Sequence, residues 1–200
     1  MVCRSKFSIT TPEKVTHDDV SKFGDPTGPY LDLDLESPLR AQFGISFEPT
    51  SSWLFEIYTR FLDWSSADGY KDFGWDDQWV FGFGAQWKPA DKLTLRLGYN
   101  YGKNPVKENN GWDPSSTYNV QGIEVNRANY ETLRIIGFPA VVEHHITAGV
   151  GYRLTDAFGL NLSFMYAPQE TIKEASAFNA ITLESKLSEW STTAGLTWYF

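Results

Sequence analysis

Four carboxylates crowd one short stretch, SSADGYKDFGWDD, which holds Asp68, Asp72, Asp76 and Asp77. Hard divalent cations favour several carboxylate oxygens, but the spacing is not that of an EF-hand loop, and a solvated polar loop is the better reading. His144 and His145 are adjacent, and neighbours in a strand face opposite sides, so the pair does not chelate one ion. His145 shares a face with Glu143; a hydrogen bond in a polar interior is the first reading of that pair and a pH-sensitive contact the second. No serine stands in register with His145 and Thr147, so a hydrolytic triad is not expected and the chain does not read as an enzyme. Neither a metal nor a cofactor is expected.

A second group of residues suggests binding rather than reaction. The segment LRIIGFPAVV places Leu133, Ile135, Ile136, Phe138, Val141 and Val142 in a stretch that should be an exposed connection. Exposed apolar clusters mark either a binding surface or packing beneath a loop. Packing against neighbouring loops is the first reading; capture of a hydrophobic ligand by Leu133, Ile135, Ile136, Phe138 and Val141 is the second. Phe178, with Ile181, is a weaker candidate in the last connection.

These groups must be held by strands. Side chains alternate between apolar and polar with period 2, the signature of a pleated strand with two unlike faces. The runs are Cys3 to Thr10, Ser37 to Phe47, Trp53 to Asp63, Gln78 to Lys88, Leu93 to Lys103, His144 to Arg153, Phe158 to Tyr166 and Trp190 to Phe200. One face carries residues such as Phe43, Ile57, Phe83, Leu97 and Leu162. The other carries Arg40, Gln42, Glu56, Arg60, Gln86, Arg96, Asn100, His145, Arg153 and Asn161. Glu56 and Arg60, four apart on one strand face, are too distant for an ideal contact, so cross-strand pairing with Arg40 or Arg96 is expected.

The connections alternate in length. EPTSS, PADK and LTDA are short and rich in turn formers. Long polar stretches cover roughly 11–36, 65–76, 104–142 and 167–188. Trp53, Trp87, Tyr152, Phe158, Trp198 and Phe200 cluster by the short turns or the C-terminus. Trp79, Tyr99, Tyr101, Tyr166 and Trp190 lie near the opposite ends. Two belts of amphipathic rings are what the two interfaces of a bilayer select.

The composition agrees. The 200 residues are 42% hydrophobic and 16% aromatic with a net charge of -8, and an acidic balance excludes a nucleic-acid partner. Mean hydropathy is -0.35, and no apolar stretch approaches the roughly 20 residues of a transmembrane helix. A transmembrane strand needs only about ten alternating residues. Cys3 is the sole cysteine, so compartment is not readable from disulfides. The first residues have no apolar segment of a signal peptide. The expected fold is all-β: one domain over residues 1–200, a transmembrane up-and-down antiparallel β-barrel of about eight strands, with Arg40, Glu56, Arg60, Arg96, Asn100 and His145 lining a polar lumen. A soluble sandwich or lipocalin-like barrel would bury the same aromatics inside; the parity of the connections and the paired belts favour the membrane.

The segments FEPTSSWLFEIYTRFLDWSS, WKPADKLTLRLGYNYGKNPV, GFPAVVEHHITAGVGYRLTD and LNLSFMYAPQETIKE, closed by TAGLTWYF, resemble the C-terminal portion of the outer-membrane transport proteins of the FadL/TodX type. The resemblance covers about Asp32 to Phe200. It implies the last eight strands of a monomeric barrel of about fourteen, in the outer membrane of a Gram-negative bacterium, in contact with lipid and lipopolysaccharide. It implies inward passage of hydrophobic compounds, typically long-chain fatty acids or aromatic hydrocarbons, by diffusion. The terminal Phe200 resembles the signal read by the barrel-assembly machinery. The family's signal peptide, plug and earlier strands are not matched, so the chain is expected to be a C-terminal piece. A general porin or a purely structural barrel is the alternative.

Overall fold

The computed structural model describes residues 2–11, 14–17, 33–138 and 141–199; Phe200, the expected assembly signal, lies outside them. In chain order the strands are β1 (Val2–Thr10), β2 (Lys14–His17), β3 (Leu33–Glu36), β4 (Leu39–Thr50), β5 (Trp53–Asp63), β6 (Gln78–Ala90), β7 (Leu93–Gly102), β8 (Thr117–Val120), β9 (Ile123–Asn126), β10 (His144–Arg153), β11 (Phe158–Ala175) and β12 (Thr182–Trp198). Eight of them form one antiparallel sheet in the order β1-β4-β5-β6-β7-β10-β11-β12. Every pairing between neighbours in the order joins strands that are consecutive once the small β2–β3 and β8–β9 hairpins are set aside. This is the up-and-down meander that the alternation predicts, a transmembrane-type barrel wall ending in two edges, β1 and β12.

Alternation dictates the faces. Ladders such as Phe55↔Ala85↔Leu97↔Ala148↔Phe164 run across five strands on one side. On the other side run Glu56↔Gly84↔Gly98↔Thr147. The apolar side is bare: Leu97 is 65% exposed, Ile57 56% and Trp190 72%. A continuous bare apolar surface of this kind is the outward face of a transmembrane-type barrel wall. Aromatic pairs mark its ends, with Trp53 and Trp87 stacked 5.5 Å apart and Phe158 and Trp198 stacked 6.1 Å apart at the short-turn end, and Phe61 and Trp79 tilted and 5.1 Å apart at the other.

Three expectations need correction. The connection expected over 167–188 is mostly strand, because β11 and β12 continue to Ala175 and from Thr182. A bulge between Ala167 and Glu170 adds one residue to β11, and that extra residue throws a strict period-2 pattern out of phase. The connection expected over 104–142 folds into the β8–β9 hairpin, a helix α1 (Arg127–Thr132) and a π-helical turn over Leu133–Gly137. Gln121 and Gly122 both have positive φ, 50° and 91°, which is what a two-residue hairpin turn with the twist of its strands requires. Asn126 starts α1 by accepting hydrogen bonds from the backbone N–H groups of Ala128 and Asn129.

The acidic loop over 65–76 is the third. It carries Ala67, Phe73 and Trp75 at 3%, 3% and 6% exposure, so it is an anchor rather than a solvated loop. Among the described residues the molecule's buried apolar core lies here, in a cap built from the long connections. Phe73, Trp75, Val106, Trp112, Val120, Tyr130, Ile135, Val141, Ile172 and Leu183 form one cluster. The segment after β7 ties the cap together. Val106 bridges to Trp75, Trp112 bridges to Ser176 in the β11–β12 tip, and Gly111 N–H donates to the Ala175 carbonyl at 2.8 Å.

Candidate functional site

The inner face of the wall is built from short side chains. Gly44, Gly82, Gly84, Gly98, Gly149, Gly151, Gly159 and Gly195 all project to the polar side, in the rows occupied by Gln42, Arg60, Arg96 and Asn161. Larger residues lie down over these glycines: Tyr58 over Gly82, Thr147 over Gly98, and Asn161 with Arg96 over Gly151. The wall is therefore thin, and what projects from it is polar.

The charged residues of this face are paired across strands, though not as the sequence suggests. Arg60 Nε donates to Gln42 Oε1 at 2.9 Å, Arg96 Nε to Gln86 Oε1 at 2.9 Å, and Arg40 to Thr10 Oγ1 at 3.3 Å. Glu56 stands opposite Ser46 and Gly84, so neither Arg40 nor Arg96 is beside it. The ladder register, which no single strand reveals, decides this. Asn100 and His145 are direct partners across the β7–β10 ladder. Glu143 does not join His145; it groups with His144 and Glu170.

At the short-turn end the inner face forms a polar recess of about 300 Å³ whose lining includes Gln86, Lys88, Asp91, Lys92, Arg96, Arg153, Asn161 and Tyr199. Among the described residues none of its four cations forms an ion pair. Two are held in place. Gln86 fixes Arg96, and the Arg153 guanidinium stacks 4.9 Å from the centre of the Tyr199 ring. Asn161 is steadied by its 3.1 Å bond to Thr197. Fixed, unneutralised guanidinium groups suit a carboxylate or phosphate oxygen. The sequence reading placed Gln86, Arg96, Arg153 and Asn161 on this face but missed Lys88, which precedes the PADK turn, and Lys92, which ends it.

The apolar face has its own trough, about 650 Å³, where Ala85 and Ala148 lie low among Trp53, Trp87, Leu95, Leu97, Val150, Leu162 and Phe164. It lies on the apolar face, apart from the polar recess.

In the cap, the residues of LRIIGFPAVV divide. Ile135 and Val141 are 1% and 2% exposed and form part of the core; Leu133 and Phe138 pack against it. Ile136 is half exposed and Phe178 fully so, while Ile181 packs inward. Beneath them lies an ionic cluster that the sequence reading did not find. Arg134, wholly buried, pairs through Nε with Glu131 Oε2 at 2.7 Å, through a second nitrogen with Glu174, and donates to the Lys107 carbonyl. Arg127 meets Glu131 at 2.6 Å. Burial pushes the Glu174 carboxyl up to about 7, against the opposing pull of the Asn109 N–H and the Arg134 guanidinium. The i,i+3 spacing of Glu131 and Arg134 was the available signal; Glu174 is forty residues further on.

No family model and no curated protein matches the chain. Solved structures do. A TodX monoaromatic hydrocarbon channel mutant lacking S2 and S3 aligns with 94% of this chain and 42% of its own, at 17% identity and a TM-score of 0.54. The chain has the fold of the FadL and TodX outer-membrane channels. A Pseudomonas aeruginosa FadL homologue aligns with 97% of the chain and 47% of its own, at 10% identity and a TM-score of 0.52. The CymD monoaromatic hydrocarbon channel gives 98%, 47%, 13% and 0.52. The chain thus spans less than half the length of these FadL-type structures, and its open eight-stranded sheet is a partial barrel wall of that kind.

Proposed function

We propose that the chain is the C-terminal wall and cap of a monomeric outer-membrane channel, in a Gram-negative bacterium, through which hydrophobic compounds pass inward by diffusion. Long-chain fatty acids are the first substrate class. The observation that carries the reading is the coexistence, on one sheet, of a thin polar inner face and a recess of fixed cations at its short-turn end. A hydrocarbon has no use for Arg96 and Arg153; an amphiphile with a carboxylate does.

Supporting features come from the cap. Its core residues Ile135 and Val141 shape it, leaving Ile136 and Phe178 as the apolar side chains available for first contact with a ligand. No nucleophile or metal is needed for diffusion. Phe200 would serve insertion by the assembly machinery, and the lipid face would meet acyl chains and lipopolysaccharide.

Equilibrium binding in detergent micelles tests the proposal. Spin-labelled or radiolabelled long-chain fatty acid should bind, and the Arg96→Gln/Arg153→Gln double variant should lose at least about tenfold in affinity, as loss of charge-assisted hydrogen bonds predicts. Toluene binding equal to or stronger than fatty-acid binding would refute the substrate class. A large, stable, ligand-independent conductance in liposomes would instead mark a general porin.

A further inference from the structure

Where the cap meets the wall, Glu143, His144 and Glu170 bring two carboxylate oxygens and one imidazole nitrogen within 4.8 Å of one another, all three residues being half-buried. Each is placed by something outside the trio. The Tyr99 hydroxyl bonds His144 Nδ1 at 2.8 Å, and the Tyr101 ring centre lies 4.9 Å from that of His144. Glu143 Oε1 accepts the Asn104 backbone N–H at 2.8 Å. Glu170 follows directly on the β11 bulge, where Ala167 opposes Glu189 and Glu170 opposes Leu187, so β11 carries one additional residue just before it.

The electrostatics of the trio call for a cation. Two carboxylates at this spacing repel one another, and half-burial weakens the screening that water would give. Among the described residues no Lys or Arg forms an ion pair with Glu143 or Glu170. The donor set is one nitrogen and two carboxylates. Calcium and magnesium favour oxygen alone, whereas zinc and its first-row neighbours take imidazole readily and are content with three protein ligands plus an open position.

We propose that Glu143, His144 and Glu170 form a binding site for a divalent transition-metal ion, with zinc preferred. The ion ties the start of β10 to the foot of the β11–β12 hairpin, whose Ile172 and Glu174 reach into the cap core. It fastens the cap to the wall.

The full chain, purified in detergent, is titrated with zinc, calcium and magnesium, and cobalt is used as an absorbing substitute. One zinc per chain is expected, displacing cobalt whose visible bands report nitrogen and oxygen ligation. Glu170→Gln and His144→Gln abolish binding. Tyr99→Phe, which keeps the ligands but releases the ring, weakens it about 10- to 100-fold. Circular dichroism and heat-dependent gel mobility confirm that each variant retains its sheet, and a variant that fails this check is replaced by Glu143→Gln. Absence of zinc binding, calcium binding as tight as zinc binding, or zinc affinity unchanged in both Glu170→Gln and Glu143→Gln overturns the site.

Discussion

Tyr58 of β5 lies over Gly82 of β6, its ring occupying the space that a β-carbon at position 82 would need. Gly44, on the other side of Tyr58, is in close contact too: a β-carbon there would stand 3.3 Å from Tyr58 Cβ. One aromatic ring thus covers bare backbone on the inner face, and the arrangement requires glycine at its centre. Gly82→Ala should lift the ring and cost about 1–3 kcal/mol, the usual penalty for overpacking. Urea unfolding in detergent, followed by tryptophan fluorescence, measures it. An unchanged midpoint would mean that Tyr58 moves freely.

The two faces of β7 give a second expectation. Leu97 is on the exposed apolar face and Asn100 on the polar face of the same strand. Leu97→Arg should destabilise the wall by about 2–4 kcal/mol if it lies near the bilayer midplane, whereas Asn100→Arg should be close to neutral. A sheet whose Leu97 face stood in water would accept arginine equally at both positions, so comparing the two variants in lipid vesicles tests whether that face is shielded from water.

Arg134 has Glu131 and Glu174 as partners, and all three are buried. Arg134→Ala leaves the buried Glu174 carboxylate without a cation and Glu131 with Arg127 alone, which costs about 3–5 kcal/mol. The loss should fall on the cap: protease cutting within 104–138 should accelerate while the strand signal in circular dichroism persists. Simultaneous loss of both would place the cluster in the wall's own folding.

Glu174 makes the cap sensitive to pH. Its carboxyl is raised from 4.5 to about 7 by burial. A raised pKa means that the protonated form is favoured in the folded cap, so this contribution is fully present below about 4.5 and is lost as pH rises through about 7. Hydrogen exchange of the α1 amides should speed up over that window. Glu174→Gln should flatten the dependence; a profile that stays the same in the variant assigns it to another group.

The wall was legible because the two faces of a transmembrane-type sheet impose opposite demands on alternate residues. Trp53, Trp87 and Leu97 on one side, Gln86 and Arg96 on the other, repeat this in every strand. The outer half of β11 was not legible. Its bulge after Ala167 shifts the phase, so Glu170, Ile172 and Glu174 look like loop residues. The cap core was hidden for another reason. Phe73, Trp112, Ile135 and Leu183 come from four separate stretches, and contacts across such separations leave no local period. The hydrophobic capture residues were read from composition alone; position divides them, with Ile135 and Val141 inside and Ile136 and Phe178 outside.

The most direct test of the central proposal is uptake. Cells deleted for the gene that encodes this chain are compared with wild-type cells for accumulation of radiolabelled long-chain fatty acid, at concentrations where passive permeation is slow. The account predicts a severalfold loss on deletion, restored by the wild-type gene and only weakly by Arg96→Gln/Arg153→Gln. Unchanged fatty-acid uptake in the deletion strain, accompanied by reduced permeation of small sugars, would contradict it.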